Sequence, residues 1–127
     1  MVLNEIYREV SKLTPLKIST VIWEGEQLVI GGDSWNIVFA TCWWRVLKNE
    51  VLAFGCTDNS ADKIKEIKGS NIDKIEIQST FIKSDLVLIL SNGWIIETFS
   101  TSSLEPWSMT INKQTFFSNP SMPQWDT

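Results

Sequence analysis

The segment from Asp85 to Ser100 constrains the fold more than any other part of the sequence. It reads DLVLILSNGWIIETFS, two apolar runs on either side of Asn92-Gly93. Because Asn-Gly suits the two positive-φ positions of a type I′ turn, the pattern predicts a hairpin with a two-residue loop. Both faces of that hairpin are largely apolar, which predicts a central position in a sheet covered on both sides.

Glu97 is the unusual residue of this hairpin. The predicted register sets it opposite Leu88, on an otherwise apolar face, where an unpaired carboxylate is costly. Arg45, in the run Trp43-Trp44-Arg45, is the partner we expect, since a guanidinium binds carboxylates with two hydrogen bonds and lies flat on tryptophan. The pair is either a structural ion pair or part of a pocket in which Glu97 has a raised pKa and acts as a general acid.

The remaining sequence predicts one further helix and a series of short strands. Residues 3–13 carry apolar side chains at helical spacing, and Pro15 ends that helix near Thr14. The period then changes to two, which predicts strands over 18–23, 27–31, 35–40, 42–47, 50–56, 72–81 and 107–112. Residues 60–69 form either a short helix capped by Ser60 or a loop.

These elements define the expected architecture. We expect a single α+β domain over residues 1–127, mostly antiparallel sheet, curled or forming a partial barrel, with one N-terminal helix packed on it. Residues 113–127 are expected to be a loosely held tail, unless one of its aromatic residues docks on the body. Those aromatic residues are Phe116, Phe117 and Trp125.

Composition excludes much of the usual chemistry of enzymes. The 127 residues include no histidine, so there is no imidazole base, nucleophile partner or metal ligand. Calcium-loop, phosphate-loop and nucleophile-elbow spacings are also absent. We therefore expect no catalytic activity, no metal and no cofactor. The formal net charge of −4 argues against nucleic-acid binding. Without a membrane span or a signal peptide in the sequence, a cytoplasmic location is expected.

Two cysteines leave two interpretations open. Cys42 and Cys56 are expected to be reduced, partly buried thiols. The alternative is a disulfide across a hairpin centred on Asn49, in which the two residues face each other.

Seven tryptophans fill the core or form an aromatic binding surface. Trp43 and Trp44 are adjacent on one strand and point to opposite faces, so at most one of them belongs to the core. The anchors that we expect for a binding surface are Trp44 and Trp107. The complete set of candidate binding residues is Trp43, Trp44, Arg45, Glu97, Glu105 and Trp107.

Three pieces of the sequence, within residues 35–110, resemble a family of small bacterial domains. The pieces are Cys42-Trp43-Trp44-Arg45, the hairpin from Asp85 through Asn92-Gly93 to Phe99, and Glu105-Pro106-Trp107. Domains of this kind are similar to the immunity-type proteins of bacterial toxin systems. The resemblance implies a bacterial, cytoplasmic, non-enzymatic domain that binds a partner protein, with no catalytic set to carry over.

Two classes of function are consistent with these features. The first is a protein-binding module, such as an immunity-like inhibitor, because an acidic chain is steered toward basic toxins. The second is a small-molecule-binding pocket that uses Arg45 and Glu97 as its polar groups. A purely structural or oligomerising domain is a third interpretation. The sequence defines neither the partner nor the oligomeric state.

Overall fold

A computed structural model describes residues 8, 10–40, 42–78, 81–82, 84–101 and 106–117. Within these ranges the chain forms eleven strands in two antiparallel sheets. The strands are β1 Leu16–Lys17, β2 Thr20–Glu24, β3 Gln27–Gly31, β4 Trp35–Ala40, β5 Cys42–Lys48, β6 Val51–Gly55, β7 Asn71–Ile77, β8 Leu86–Leu90, β9 Trp94–Ser100, β10 Trp107–Ile111 and β11 Gln114–Phe117.

The chain passes repeatedly between the two sheets. One has six strands in the order β1-β7-β8-β9-β5-β6, and the other has five in the order β11-β10-β4-β3-β2. The described strands leave both sheets open at their edges, so they do not form a closed barrel. The prediction of a mostly antiparallel sheet is confirmed.

The two sheets share one hydrophobic core. Alternate residues of their strands are buried, as in β4, where Trp35, Ile37 and Phe39 lie inward. Rings from opposite sheets are in contact: the ring centroids of Trp23 on β2 and Trp44 on β5 lie 5.3 Å apart, edge to face. The inner face of the β8–β9 hairpin belongs to this core, to which the second sheet and Val10 of the N-terminal helix both contribute.

The described part of the chain contains little helix. The predicted N-terminal helix is helical at residues 8 and 10–13, where Val10 joins the core, and its other residues lie outside the described ranges. A second helix, Ala61–Ile64, continues as a 3-10 turn over Lys65–Ile67. Ile64 and Ile67 are fully buried, which confirms the helical alternative for this segment. The large helical share implied by an α+β class is not observed in the described residues.

The β8–β9 hairpin has a different register from the predicted one. Val87 pairs with Glu97 and Leu88 with Ile96. Among the loop residues only Gly93 has a positive φ, of 89°, and its N–H donates to the carbonyl of Leu90. The loop is therefore a three-residue turn rather than a type I′ pair, and this one-residue shift reverses the faces of one strand relative to the other.

The β5–β6 hairpin also differs from the hairpin centred on Asn49 that would have set Cys42 opposite Cys56. Its two-residue loop is Asn49-Glu50, and a bulge between Val46 and Leu47 shifts the register. The N–H of Cys56 consequently donates to the carbonyl of Trp44. Cys42 pairs instead with Ser100 on β9, so the face-to-face cysteine pair does not form, and both thiols are free.

The loop after β6 folds back on the strand's edge. The N–H of Gly55 donates to Oδ2 of Asp58 at 2.8 Å, and the hydroxyl of Ser60 donates to the carbonyl of Gly55. The loop's own side chains thus occupy both backbone groups of this edge residue.

Part of the expected C-terminal tail is ordered. Gln114–Phe117 forms β11, which pairs with β10, and Phe116 is buried against the core. The prediction of a loosely held tail is therefore wrong for residues 114–117. The structure shows the alternative, in which an aromatic residue of this segment docks on the body. Residues 118–127, with Trp125, lie outside the described ranges.

Candidate functional site

The outward side of the six-stranded sheet combines aromatic, aliphatic and charged side chains. Three cross-strand pairs between β5 and β9 form its centre: Trp43 with Phe99, Arg45 with Glu97, and Leu47 with Ile95. Val87 and Ile89 of β8 continue it on one side, and Leu52 of β6 on the other. We refer to these nine residues as the outer face.

The two most exposed apolar members of the outer face lie toward opposite ends of β5, because Leu52 pairs with Leu47 and not with Trp43. Trp43 is 58% exposed and Leu52 is 59% exposed. The five other apolar members are half-buried beside them. A tryptophan held on a strand in this way offers a large rigid surface at little entropic cost, as in many binding sites.

Arg45 and Glu97 meet at the centre of the outer face. The Arg45 Nε–H donates to Oε1 of Glu97 over 2.6 Å. The guanidinium carbon lies 4.8 Å from the centre of the Phe99 ring, so the stacking partner is phenylalanine and not tryptophan. The two side chains are 44% and 19% exposed. The expected pairing occurs, but in a half-solvated position and not in a buried pocket, because the hairpin register turns Glu97 outward.

Trp44 and Trp107 belong to the interior. Trp44 is 2% exposed and contacts the rings of Trp23 and Phe54. Trp107 is 1% exposed, and its indole N–H donates to the carbonyl of Ser84 at 2.6 Å. Neither side chain can anchor a partner on the surface, so this part of the sequence-based hypothesis is wrong. Both are core residues because they occupy inward positions of β5 and β10.

Glu105, the remaining candidate, lies outside the described residues. Of the six candidates, the structure therefore brings three together on the outer face: Trp43, Arg45 and Glu97.

A cavity of about 510 Å³ opens beside Trp43. It lies where the start of β5, the end of β6 and the β2–β3 turn meet. Arg45 and Glu97 do not line it, so they do not serve as its polar groups. Its lining residues are Trp23, Gly25, Glu26, Gln27, Ala40, Cys42, Trp43, Cys56 and Thr57.

No sequence pattern predicted this cavity. Trp23, Glu26 and Gln27 were not among the candidates. The available signal was Gly25-Glu26 between two apolar strands, which forms a two-residue hairpin loop with φ of 59° and 62°. Recognising that turn would have predicted the place of Trp23 on the β2–β3 hairpin. It would not have predicted that Trp23 packs against β5 of the other sheet.

Two smaller cavities lie elsewhere. One of about 410 Å³ is lined by Leu13, Pro15 and the β3–β4 turn around Asp33. Another of about 330 Å³ lies between Val10 and β7. Neither contains any residue of the outer face.

The two thiols of the larger cavity differ in environment. Cys42 is buried and Cys56 is partly exposed. Burial raises the pKa of Cys42 from 9.0 to about 12, because the thiolate loses its hydration. Cys42 is therefore a neutral thiol at physiological pH and a poor nucleophile.

The described residues lack two further features. They contain no group of three or more histidine, cysteine, aspartate or glutamate side chains placed to hold a metal ion. No helix among them has the length and apolar character required to cross a bilayer.

Fold and site together define an antiparallel two-sheet β domain with an aromatic and charged face on its larger sheet. Comparison with known proteins yields no matching family model, no matching curated protein and no matching solved structure.

Proposed function

We propose that this chain is a non-enzymatic protein-binding module that contacts its partner through the outer face. The observation that carries the proposal is Trp43, which is 58% exposed on the outward side of β5 and lies opposite Phe99 of β9. Tryptophan and arginine are the residues most enriched at energetic centres of protein interfaces, and both occur here side by side.

The shape of the outer face favours a macromolecular partner. Its side chains project from four neighbouring strands of one sheet, β8, β9, β5 and β6, and form a broad surface. Small ligands bind by being enclosed, whereas a protein partner needs roughly 800 Å² of surface on each side.

Charge supports a basic partner. The formal net charge is −4, and opposite net charges accelerate protein association at low salt. In its most specific form, the proposal is a cytoplasmic bacterial inhibitor, similar to immunity proteins, that neutralises a basic toxin. The sequence resemblance within residues 35–110 supports this form.

The first test is a tagged pull-down at low and moderate salt from a lysate of the cells that encode the chain, read by mass spectrometry. We expect one stoichiometric partner, bound more weakly at the higher salt. Trp43→Ala should lower the affinity for that partner about 30-fold, a typical loss for an interfacial hot spot.

The matched control is Phe117→Ala. Phe117 is 51% exposed and lies on β11 of the other sheet, so its truncation removes a similar exposed ring from a different surface. Equal affinities for wild type, Trp43→Ala and Phe117→Ala would contradict the outer face as the binding surface. Absence of a partner at either salt concentration would contradict the binding module itself.

A further inference from the structure

Two tryptophans, one from each sheet, are among the residues that line the cavity beside Trp43. Trp23 comes from β2 and Trp43 from β5. Tryptophan has the strongest attraction for cations among aromatic side chains, because the faces of its ring carry negative electrostatic potential. Two such rings on one cavity favour a ligand that is positively charged and partly apolar.

The rest of the lining has the complementary charge. Glu26 is the single charged residue among the nine that line the cavity, and these include neither lysine nor arginine. The loop that carries Glu26 is fixed, because Glu24 pairs with Gln27 directly before and after it. Among the described lining residues, Glu26 therefore supplies a negative charge that no lysine or arginine of the lining neutralises.

Three aromatic rings elsewhere in the described chain already have cationic neighbours from the protein. Lys48 lies 3.8 Å from the centre of the Trp94 ring, and Arg45 covers Phe99. Lys48 and Lys63 also approach Phe54. Among the described contacts, no cation of the chain itself lies over Trp23 or Trp43, the two rings of the cavity.

We propose that this cavity binds an organic cation, an alkylammonium or guanidinium group, against Trp23 and Trp43 with Glu26 as its counter-ion. The inference rests on the proposed function in one respect: the group is supplied by a lysine or arginine side chain of the basic partner. Trp43 belongs both to the outer face and to the lining of the cavity, so the cavity adjoins the proposed binding surface. The neutral thiol of Cys42 adds a polarisable wall without adding charge.

The chemistry of the cavity is tested without any partner. Purified protein is titrated with butylguanidinium and butylammonium, and with the uncharged analogues butylurea and butan-1-ol, while ¹⁵N-¹H spectra report backbone and indole N–H shifts. We expect saturable shifts around Trp23, Glu26 and Trp43 for the two cations, with the neutral analogues at least about tenfold weaker. Equal binding of charged and neutral probes, or no shifts at the cavity, would overturn the proposal.

Variants separate the contribution of the Glu26 charge to cation binding from that of the Trp43 ring. Glu26→Gln keeps the size of the side chain and removes its charge, and Trp43→Ala removes one ring. Each should weaken butylguanidinium binding about fivefold or more, whereas Phe117→Ala should leave it unchanged. Native-like spectra of all variants exclude unfolding as the cause. Unchanged affinity in both Glu26→Gln and Trp43→Ala would overturn the assignment of these residues.

The source of the cation is tested on the captured complex. Butylguanidinium should displace the partner more effectively than sodium chloride at equal ionic strength, and Glu26→Gln should weaken the complex. Displacement by both salts alike would overturn the partner side chain as the source, even if the titration supports the cavity chemistry. Failure to capture any partner would contradict the proposed function and not the cation site, because the titration decides the latter alone.

Discussion

At the scale of single residues, the face that a side chain occupies decides its role more than its type does. Trp43 and Trp44 are neighbours in sequence, yet one is 58% exposed and the other 2% exposed. Alternation along a strand predicts such a split, but not which member faces the core. Glu97 shows the same limit: its partner Arg45 was predictable, whereas its face depended on a register that one extra loop residue changed.

The two cysteines are expected to differ in reactivity. With a thiol-specific reagent such as Ellman's at pH 8, Cys56 of the native protein should react well before Cys42. Cys42 is buried, and its pKa of about 12 leaves almost no thiolate at that pH. Denaturation should equalise the two rates. Comparing Cys42→Ser with Cys56→Ser assigns each phase, and a faster native reaction at Cys42 would contradict the burial.

The same thiol makes the free energy of unfolding depend on alkaline pH. The folded state holds the Cys42 proton more tightly than the unfolded state, whose thiol titrates near 9.0. The contribution of the Cys42 thiol to the free energy of unfolding is therefore complete below pH 9 and is lost as the pH rises toward about 12. Cys42→Ser should flatten this part of the stability profile, measured by urea denaturation at several pH values.

At the scale of elements, strand positions were predictable but their loops were less so. Alternating hydrophobicity located β3, β4 and β5 almost to the residue, because burial on one side of a strand imposes a period of two. Turn chemistry was ambiguous, since Asn92-Gly93 suits both two-residue and three-residue loops. The association of two sheets was not predictable, because pairing between strands distant in sequence leaves no local pattern.

The loop Asn49-Glu50 offers a test of turn chemistry. Glu50 has a φ of 63°, a conformation that costs a residue with a Cβ roughly 1 kcal/mol and glycine almost nothing. Glu50→Gly should therefore stabilise the fold by about 1 kcal/mol, which raises Tm by about 3–5 °C for a domain of this size. Thermal denaturation followed by circular dichroism measures the change.

Two variants serve as controls for this test. Glu50→Ala removes the same charge but keeps a Cβ, so its Tm should not rise. Gly93→Ala introduces a Cβ at a φ of 89° and should lower Tm. A stabilisation by Glu50→Ala equal to that by Glu50→Gly would attribute the gain to charge and not to backbone conformation.

At the scale of the whole molecule, the two sheets are interleaved along the chain and share one core. The chain enters the six-stranded sheet with β1, leaves it for β2–β4, returns for β5–β9 and leaves again for β10–β11. The inward side chains of both sheets belong to one continuous cluster. Loss of either sheet exposes half of that cluster, which predicts cooperative unfolding.

Cooperativity is tested by following urea denaturation with two probes. Far-UV circular dichroism and tryptophan fluorescence should give coincident single transitions. Trp44→Phe, which shrinks a ring in contact with both Trp23 and Phe54, should lower the midpoint of both by the same amount. We expect a loss of about 1–3 kcal/mol for this cavity-creating change. Separate transitions for the two probes would show that the sheets unfold independently.

The side chains of Asp58 and Ser60, which hydrogen-bond the backbone of Gly55 at the edge of β6, limit how this protein can associate with other chains. Bare strand edges invite neighbouring molecules to add strands without limit, as in amyloid fibrils. At Gly55 the protein's own loop already occupies both backbone groups, as an added strand would. Another chain therefore finds no free backbone N–H or C=O at Gly55 to which a strand could be added. Any recognition at this position must use side chains. Such recognition can be retuned by single substitutions while the scaffold stays intact.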